Sequence, residues 1–357
     1  MGGKRVLFTP GPVDVLKEIL EAQTTGMVSH RSEEYRELHG RLVEDAKRLF
    51  GCDEAFIITG SGTAGVEACV ASCIRKGETV LVPHNGVFGE RLRKICTLHG
   101  AKVVSVEMGY GRGIDLERVK EGLDSSGASV LALVHNETST GVCNRLEEIC
   151  RYARKKGIFV IVDGVSAIGG HEFNLEGWGA GICATASQKC IGAPPGIALV
   201  GAGKEAVERM RECRPSAYYL DLSRYLEYNA RNETPFTPAV SLLYALDAAL
   251  EILFKEGLEK RIERHRKAGE YARRELRRAG FELFAEKGFE SNTVTSFKVS
   301  SPAEAESIME GLRKRHGFVI AGGMGEMKGK ILRIGHMGNF RQKDLEECVR
   351  RIIELRG

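Results

Sequence analysis

No apolar run in the 357 residues approaches the ~18 consecutive residues of a membrane span. The opening MGGKR leads into no apolar h-region, so no signal peptide is expected. There are ten cysteines but no CxxC pair, and a disulfide scaffold would be shorter and denser in Cys. These thiols are expected to be mostly buried and reduced, in a cytoplasmic protein. Neither charge sign dominates. Lys and Arg number 52, Asp and Glu 48, and the net charge is +4. That balance argues against a protein that coats polyanions and leaves only a local basic patch to consider. No internal repeat or low-complexity tract is present, and no metal-ligand cluster is expected. What remains is an ordinary globular composition, 43% hydrophobic and 28% charged. At about 150 residues per domain, the length suggests two domains.

Residues 1–14 read as extended, with Pro10 and Pro12 blocking a helix. Helical periodicity runs over 33–50 and stops at Gly51. Strands and helices then alternate. Strands are expected at 55–59, 78–83, 101–106, 129–135 and 157–163, and helices at 62–76, 87–99 and 145–156. The strands are short and apolar almost throughout, as in a parallel sheet covered on both faces by crossover helices. Two further apolar segments follow at 182–186 and 196–201. Beyond residue 240 a charged helical stretch (240–279) breaks near Gly257. Then come FELFA (281–285), TVTSFKV (293–299), a helix at 302–315, GFVIAG (317–322), KILRIG (330–335) and a closing helix at 341–356. The expected fold is α/β, a mostly parallel sheet with helices on both faces, plus a smaller α+β C-terminal domain. Residues 15–256 form the large domain; 1–14 and 257–357 form the small one.

Four features carry chemistry, and each also has a plain reading. GSGTAG (60–65) fits GxGxxG between a strand and a helix. Unpartnered N–H groups and a positive dipole make a helix N-terminus a phosphate site, to which Ser61 and Thr63 add hydroxyls. The plain reading is a Gly-rich turn with an N-cap. A nicotinamide site would want an acid at the end of the next strand. Glu78 begins that strand instead, which disfavours the dinucleotide. Asp163 ends an apolar strand at the sheet edge where ligands bind, and its carboxylate can pair with a protonated ring nitrogen; otherwise it is a turn or N-cap Asp. Lys189 sits in a turn-rich loop after a short strand. Its amine can form a Schiff base with an aldehyde cofactor, or it is a solvated surface group. Arg333, between Leu332 and Ile334, offers a planar fork for a carboxylate, or pairs with a neighbouring acid at a strand edge. Taken together, the four make the set that pyridoxal phosphate acting on an amino acid needs.

The chain resembles the class V aminotransferases, among the fold type I pyridoxal-phosphate enzymes, most of all their alanine–glyoxylate and serine–pyruvate branch. TPGPV (9–13), SHRSEEY (29–35), GSGTAG (60–65), NGVFGER (85–91), HNETSTG (135–141), VDGVSAIGG (162–170), SQKCIGAPPG (187–196) and KILRIGHMG (330–338) carry the resemblance nearly end to end. It implies that Lys189 holds the cofactor, Asp163 its pyridinium nitrogen and Val165 the underside of the ring. Phe88 stands where relatives often stack a Trp. Ser61, Gly62 and Thr63 would hold the phosphate with Gln188 nearby, and Thr138 would approach the ring hydroxyl. Arg333 would bind the substrate carboxylate, with Gly11 lining the pocket. Relatives often bring a Tyr and, three positions later, a Thr from a partner subunit to the phosphate. Here Thr237 matches the second, but Thr234 replaces the first. A homodimer with its site at the interface is implied.

The implied reaction moves an amino group from alanine or serine to glyoxylate or pyruvate. An aspartate donor is the alternative, although no second cation for a dicarboxylate can be assigned. A cysteine desulfurase would need a mobile C-terminal cysteine and commonly stacks a His where Phe88 stands. No Cys lies between Cys213 and Cys348, and Cys348 falls in the closing helix. Nucleic-acid binding by 261–278 is opposed by the interleaved Glu263, Glu270 and Glu275, which make a solvated amphipathic helix.

Overall fold

A computed structural model describes residues 5–356. The main sheet has seven strands: β1 (Glu54–Thr59), β2 (Thr79–His84), β3 (Lys102–Glu107), β4 (Val130–Val134), β5 (Phe159–Asp163), β6 (Ile182–Ala186) and β7 (Ile197–Ala202). Their order is β1-β7-β6-β5-β4-β2-β3. Strand β2 runs parallel to β3 and β4, β4 to β5, and β5 to β6. Only β7 is reversed, antiparallel to both β6 and β1. Six strands therefore end at one edge of the sheet. The direction of winding reverses between β2 and β4, and the crevice beyond such a reversal is where open α/β sheets bind ligands.

Alternation of side chains across each strand makes two cores. Leu131 and Leu133 of β4 and Val160 and Val162 of β5 face the helices Glu33–Phe50, Leu146–Lys155 and Val240–Glu256. Val130, Ala132, Phe159 and Ile161 face the opposite way, with Cys69 of Gly62–Cys73 and Leu92 of Val87–Leu98. Every residue of β4 to β7 is buried, which is why these strands read as unbroken apolar runs. The Glu33–Phe50 helix begins where the Ser32 hydroxyl accepts the Tyr35 N–H and ends at Gly51, whose φ is 67°.

The structure corrects several expectations. Strand β3 is an edge strand, half exposed, and is not covered on both faces. The helix expected to reach residue 76 stops at Cys73, where the backbone of Ile74 turns extended and the Glu78 carboxylate accepts the Arg75 N–H. FELFA forms no strand, only a bridge from Leu283 to Phe297. GFVIAG splits into Phe318–Val319 and Ala321–Gly322, which pair with different partners. The 302–315 helix keeps α geometry only over Pro302–Gly311 and closes in a π turn. Helices Leu116–Ser126, Lys204–Glu212 and Leu222–Asn229 were not expected.

The C-terminal sheet has strands β8 (Val294–Lys298), β9 (Ala321–Gly322) and β10 (Ile331–Gly335), in the antiparallel order β8-β10-β9. Val6–Leu7 pairs with Phe318–Val319, and Phe8 enters the same core as Leu276, Phe297, Leu332 and Ile352. Gly335 at the end of β10 donates its N–H to the Phe8 carbonyl at 2.7 Å. A Cβ there would lie 2.3 Å from the Thr9 carbonyl oxygen and 2.7 Å from the Pro10 nitrogen, both backbone atoms. Gly335→Ala is therefore expected to cost about 1–3 kcal/mol, the usual scale of overpacking, read as a lower thermal midpoint. An unchanged midpoint would mean that the N-terminal segment is not held there.

Candidate active site

The crevice beyond the strand ends is a cavity of about 140 Å³. Its wall includes Ser61, Gly62 and Thr63 after β1, Phe88 after β2, Thr138 after β4, Asp163 and Val165 at the end of β5, and Gln188 and Lys189 after β6. Nine residues singled out from the sequence thus meet in one place. Gly11 reaches the same point, since a Cβ on it would lie 2.4 Å from Lys189 Nζ. Its φ of 102° lets the chain pass there without a side chain.

Lys189 is buried, in a turn whose backbone leaves helical geometry at Lys189 itself (φ −110°, ψ −131°). Its amine donates to the Pro10 carbonyl. Burial, only partly offset by Cys190 and Asp163 and aided by Arg333 and Arg91, pulls its pKa down to about 8. Asp163 is also buried. Burial pushes its pKa up to about 6, against the opposing pull of the Val165 N–H, Arg91 and Lys189. The Val165 N–H donates to its Oδ1 at 3.0 Å.

A carboxyl whose folded pKa is raised from 3.8 to about 6 takes up a proton in the folded state that the unfolded chain lacks. Its contribution to stability is full below pH 3.8 and is lost as pH rises through about 6. Asp163→Asn is therefore expected to raise the thermal midpoint of the cofactor-free protein at pH 8 and to change it little at pH 4. A lower midpoint at pH 8 would show that the carboxylate is already balanced.

Four neighbouring roles escaped the sequence reading. Arg91 lines the cavity, donates to Thr63 Oγ1 at 3.2 Å and lies 4.7 Å from the centre of the Phe88 ring. It stands in NGVFGER, so the motif itself was the signal. Glu137 is wholly buried and accepts the N–H groups of Phe88 and Gly89 at 3.0 and 2.9 Å, which fixes the turn that presents Phe88. Asn136 and Ser166 also line the wall and bond to one another at 3.0 Å. These three also stand in the motifs HNETSTG and VDGVSAIGG, but nothing in the motifs marks these contacts.

Arg333 does not line the cavity; it is joined to the wall through its bond to Thr138, from the middle strand of the C-terminal sheet. Its Nε and Nη2 donate to the Gly322 carbonyl at 2.9 and 2.7 Å, and its Nη1 donates to the Thr138 carbonyl at 2.9 Å. Thr237 does not reach the cavity of its own chain and is exposed. Thr234 points inward instead. Its hydroxyl donates to the Phe236 carbonyl at 2.9 Å and lies 3.1 Å from the Tyr35 hydroxyl, while Arg31 donates to the Thr234 carbonyl. Cys190, beside Lys189, is a buried thiol pushed up to about 12 by burial. Cys348 is fully buried, so it is no mobile nucleophile.

The family model described as Aminotransferase class-V matches residues 12–334. An uncharacterized aminotransferase of Methanocaldococcus jannaschii is 36% identical, over 96% of this chain and 90% of its own length. An L-aspartate–glyoxylate aminotransferase of Paracoccus denitrificans is 31% identical, over 95% and 88%. A serine–glyoxylate aminotransferase of Arabidopsis thaliana is 29% identical, over 97% and 89%. Among solved structures, an alanine–glyoxylate aminotransferase from Nostoc sp. superposes with a TM-score of 0.94 at 28% identity, covering 99% of this chain and 96% of its own.

Proposed function

The chain belongs to the class V aminotransferases and is a pyridoxal-phosphate-dependent transaminase; from that premise we propose that it moves the amino group of alanine or serine to glyoxylate or pyruvate. The observation that carries the reading is the meeting of Lys189, Asp163, Phe88, Val165 and the Ser61–Thr63 turn around one small cavity. Glyoxylate is the acceptor named for three of the compared relatives, with serine, alanine or aspartate as donor. The small donors are favoured because Arg91 is the only cationic side chain besides Lys189 on the wall of this cavity among the described residues, and it is bonded to the Thr63 hydroxyl.

The residues present fit the cofactor. Ser61 makes no capping bond with its side chain, so its hydroxyl and the N–H groups of Gly62 and Thr63 are left for a phosphate, while those of Ala64 and Gly65 donate to the Ser61 carbonyl. A Cβ on Gly62 would meet Val165 Cγ1 at 2.9 Å, so only glycine keeps that cradle open. Gln188 Oε1 is buried without a partner among the described residues, a polar atom that a ligand can satisfy. Asp163 is a buried acid that a ring cation would balance.

Bound pyridoxal phosphate supplies an aldehyde that condenses with amines and a ring that accepts an electron pair. In this reading, Asp163 keeps the ring nitrogen protonated by opposing loss of its proton. Phe88 and Val165, on the cavity wall, would pack against the ring and exclude water. Lys189 would hold the cofactor through its amine, and the same amine, when free, would take the proton from the substrate Cα. An amine with a pKa near 8 is partly neutral at physiological pH, and the neutral form is the one that attacks and accepts protons. Arg333 holds the substrate carboxylate.

A second chain is part of the proposal. Thr237 is exposed, as are Tyr218 and Tyr219 beside Phe236, so this surface is ready to meet a partner and deliver Thr237 to the partner's phosphate. All ten cysteines are free, which supports a reducing, cytoplasmic setting. No helix among the described residues is long and apolar enough to cross a membrane.

The test is a set of half-reactions. Purified protein loaded with pyridoxal phosphate is given L-alanine, L-serine or L-aspartate, and the keto acid formed is measured. Pyruvate from alanine, or hydroxypyruvate from serine, is the expected product. Turnover of aspartate alone would replace the proposed donor, and no keto acid from any of the three would remove the donor class altogether.

A further inference from the structure

Arg261 is the largest side chain with no solvent exposure among the described residues, and it is not on the wall of the cavity. It sits in the first turns of the Leu258–Arg278 helix. Its Nε and Nη2 donate to the Cys190 carbonyl at 3.2 and 2.7 Å, and Nη2 also reaches the Ile191 carbonyl at 3.2 Å. These are the two residues after Lys189. Nη2 lies 3.0 Å from Asn339 Oδ1, and Nη1 pairs with Glu256 at 2.7 Å. Asn339 belongs to the loop that leaves β10, six residues after Arg333. The same helix holds that loop twice more. His265 Nε2 accepts the Gly338 N–H at 3.1 Å, and Arg264 donates to the Gly338 carbonyl at 3.1 Å. The loop rests on the lysine turn itself, because a Cβ on Gly338 would lie 3.2 Å from the Lys189 carbonyl oxygen.

We infer that Arg261 is a positioning residue, which clamps the Lys189 turn to the loop following Arg333 and so sets the lysine amine relative to the guanidinium that holds the substrate. This rests on the roles proposed above for those two groups. The physical basis is the shape of the side chain. A guanidinium carries five N–H donors in one plane and can hold two neighbouring carbonyls, a side-chain amide and a carboxylate together, whereas an ammonium is a point charge without that fork. The Lys189 turn departs from helical geometry, so its own backbone bonds do not define it fully. A buried cation with only one removable counter-charge, Glu256, has little to gain in stability over an apolar side chain. Geometry, rather than stability, accounts for a cation at this position.

The test compares wild type, Arg261→Lys, Arg261→Met and Asn339→Ala, all loaded with pyridoxal phosphate and checked for folding by far-UV circular dichroism. For the Met variant kcat is expected to fall by about 100-fold, the effect of misplacing reacting groups by about 1 Å. KM for the amino acid should change by less than about threefold, because the Gly322 and Thr138 contacts of Arg333 remain. The induced visible circular dichroism of the bound cofactor should change with kcat, and Arg261→Lys should recover part of both. Asn339→Ala removes one bond of the clamp and leaves the core filled. It should lower kcat by about three- to tenfold, and it decides the matter if the Met variant does not fold. A folded Met variant with kcat within twofold of wild type and an unaltered visible signal would overturn the inference, as would an Asn339→Ala variant unchanged in both. Wild-type protein that takes up no cofactor would instead overturn the proposed function.

Discussion

Replacing Lys189 by alanine is expected to lower kcat by about 10⁴-fold, the upper end of what one positioned acid–base group supplies. Two duties are lost together in the proposed mechanism. The amine no longer binds the cofactor, and no other group on the wall of the cavity stands ready to take the Cα proton. Arg91, the only other cation on that wall among the described residues, is a guanidinium and does not deprotonate. The fold should survive. Lys189 is buried with its pKa drawn down to about 8, so its charge is a cost to the cofactor-free protein at neutral pH, and a midpoint equal to or above wild type is expected. Added methylamine should restore a small part of the rate. A variant that keeps more than about a hundredth of the wild-type kcat would show that Lys189 is not the base.

Arg333→Ala is the second large effect. Of its five N–H groups, three are bound to the Gly322 and Thr138 carbonyls, and two, one on each Nη, make no bond among the described residues. In the proposed reading those two take the substrate carboxylate. Gly322 and Thr138 fix the plane of the guanidinium before the substrate arrives, so little ordering remains to be done on binding. Truncation is expected to lower kcat/KM by about 100- to 1000-fold, or about 3–4 kcal/mol, the scale for removing one partner of a buried charge pair. Most of the loss should lie in KM. Arg333→Lys should recover little, since an ammonium cannot hold both backbone carbonyls and a carboxylate. A KM within threefold of wild type would place the substrate carboxylate elsewhere.

These two residues were legible in the sequence for different reasons. Lys189 and Asp163 follow apolar strands, and in a parallel sheet the strand ends gather at one edge, so chemistry at the ends is brought together by topology alone. Arg333 stood out because a charge in a strand otherwise buried is costly without a partner. The GSGTAG turn was legible because glycines and hydroxyls mark a helix start. The reversal of β7 was not, since GIALVG is equally apolar read in either direction. The half-exposed state of β3 was hidden by its valines, while Lys102 and Glu107 at its ends are exposed. The Leu116–Ser126 helix did carry a signal, with Asp115 accepting the Arg118 N–H and Gly127 closing it in the left-handed region. Glu137 stands in the HNETSTG motif, but its contacts, like those of Arg261, were beyond reach. Each acts on backbone groups 48 or more residues away, and only the folded chain brings those groups to them.

The measurement that bears most directly on the proposed chemistry is chemical trapping. Protein incubated with pyridoxal phosphate is reduced with borohydride, digested, and mapped by mass spectrometry. The expected result is one cofactor adduct per chain, on the peptide containing Lys189, absent when the same protein is first exhausted with the amino donor. An adduct on another lysine, or none while the protein remains folded, would contradict the assignment of Lys189 and with it the aminotransferase site described above.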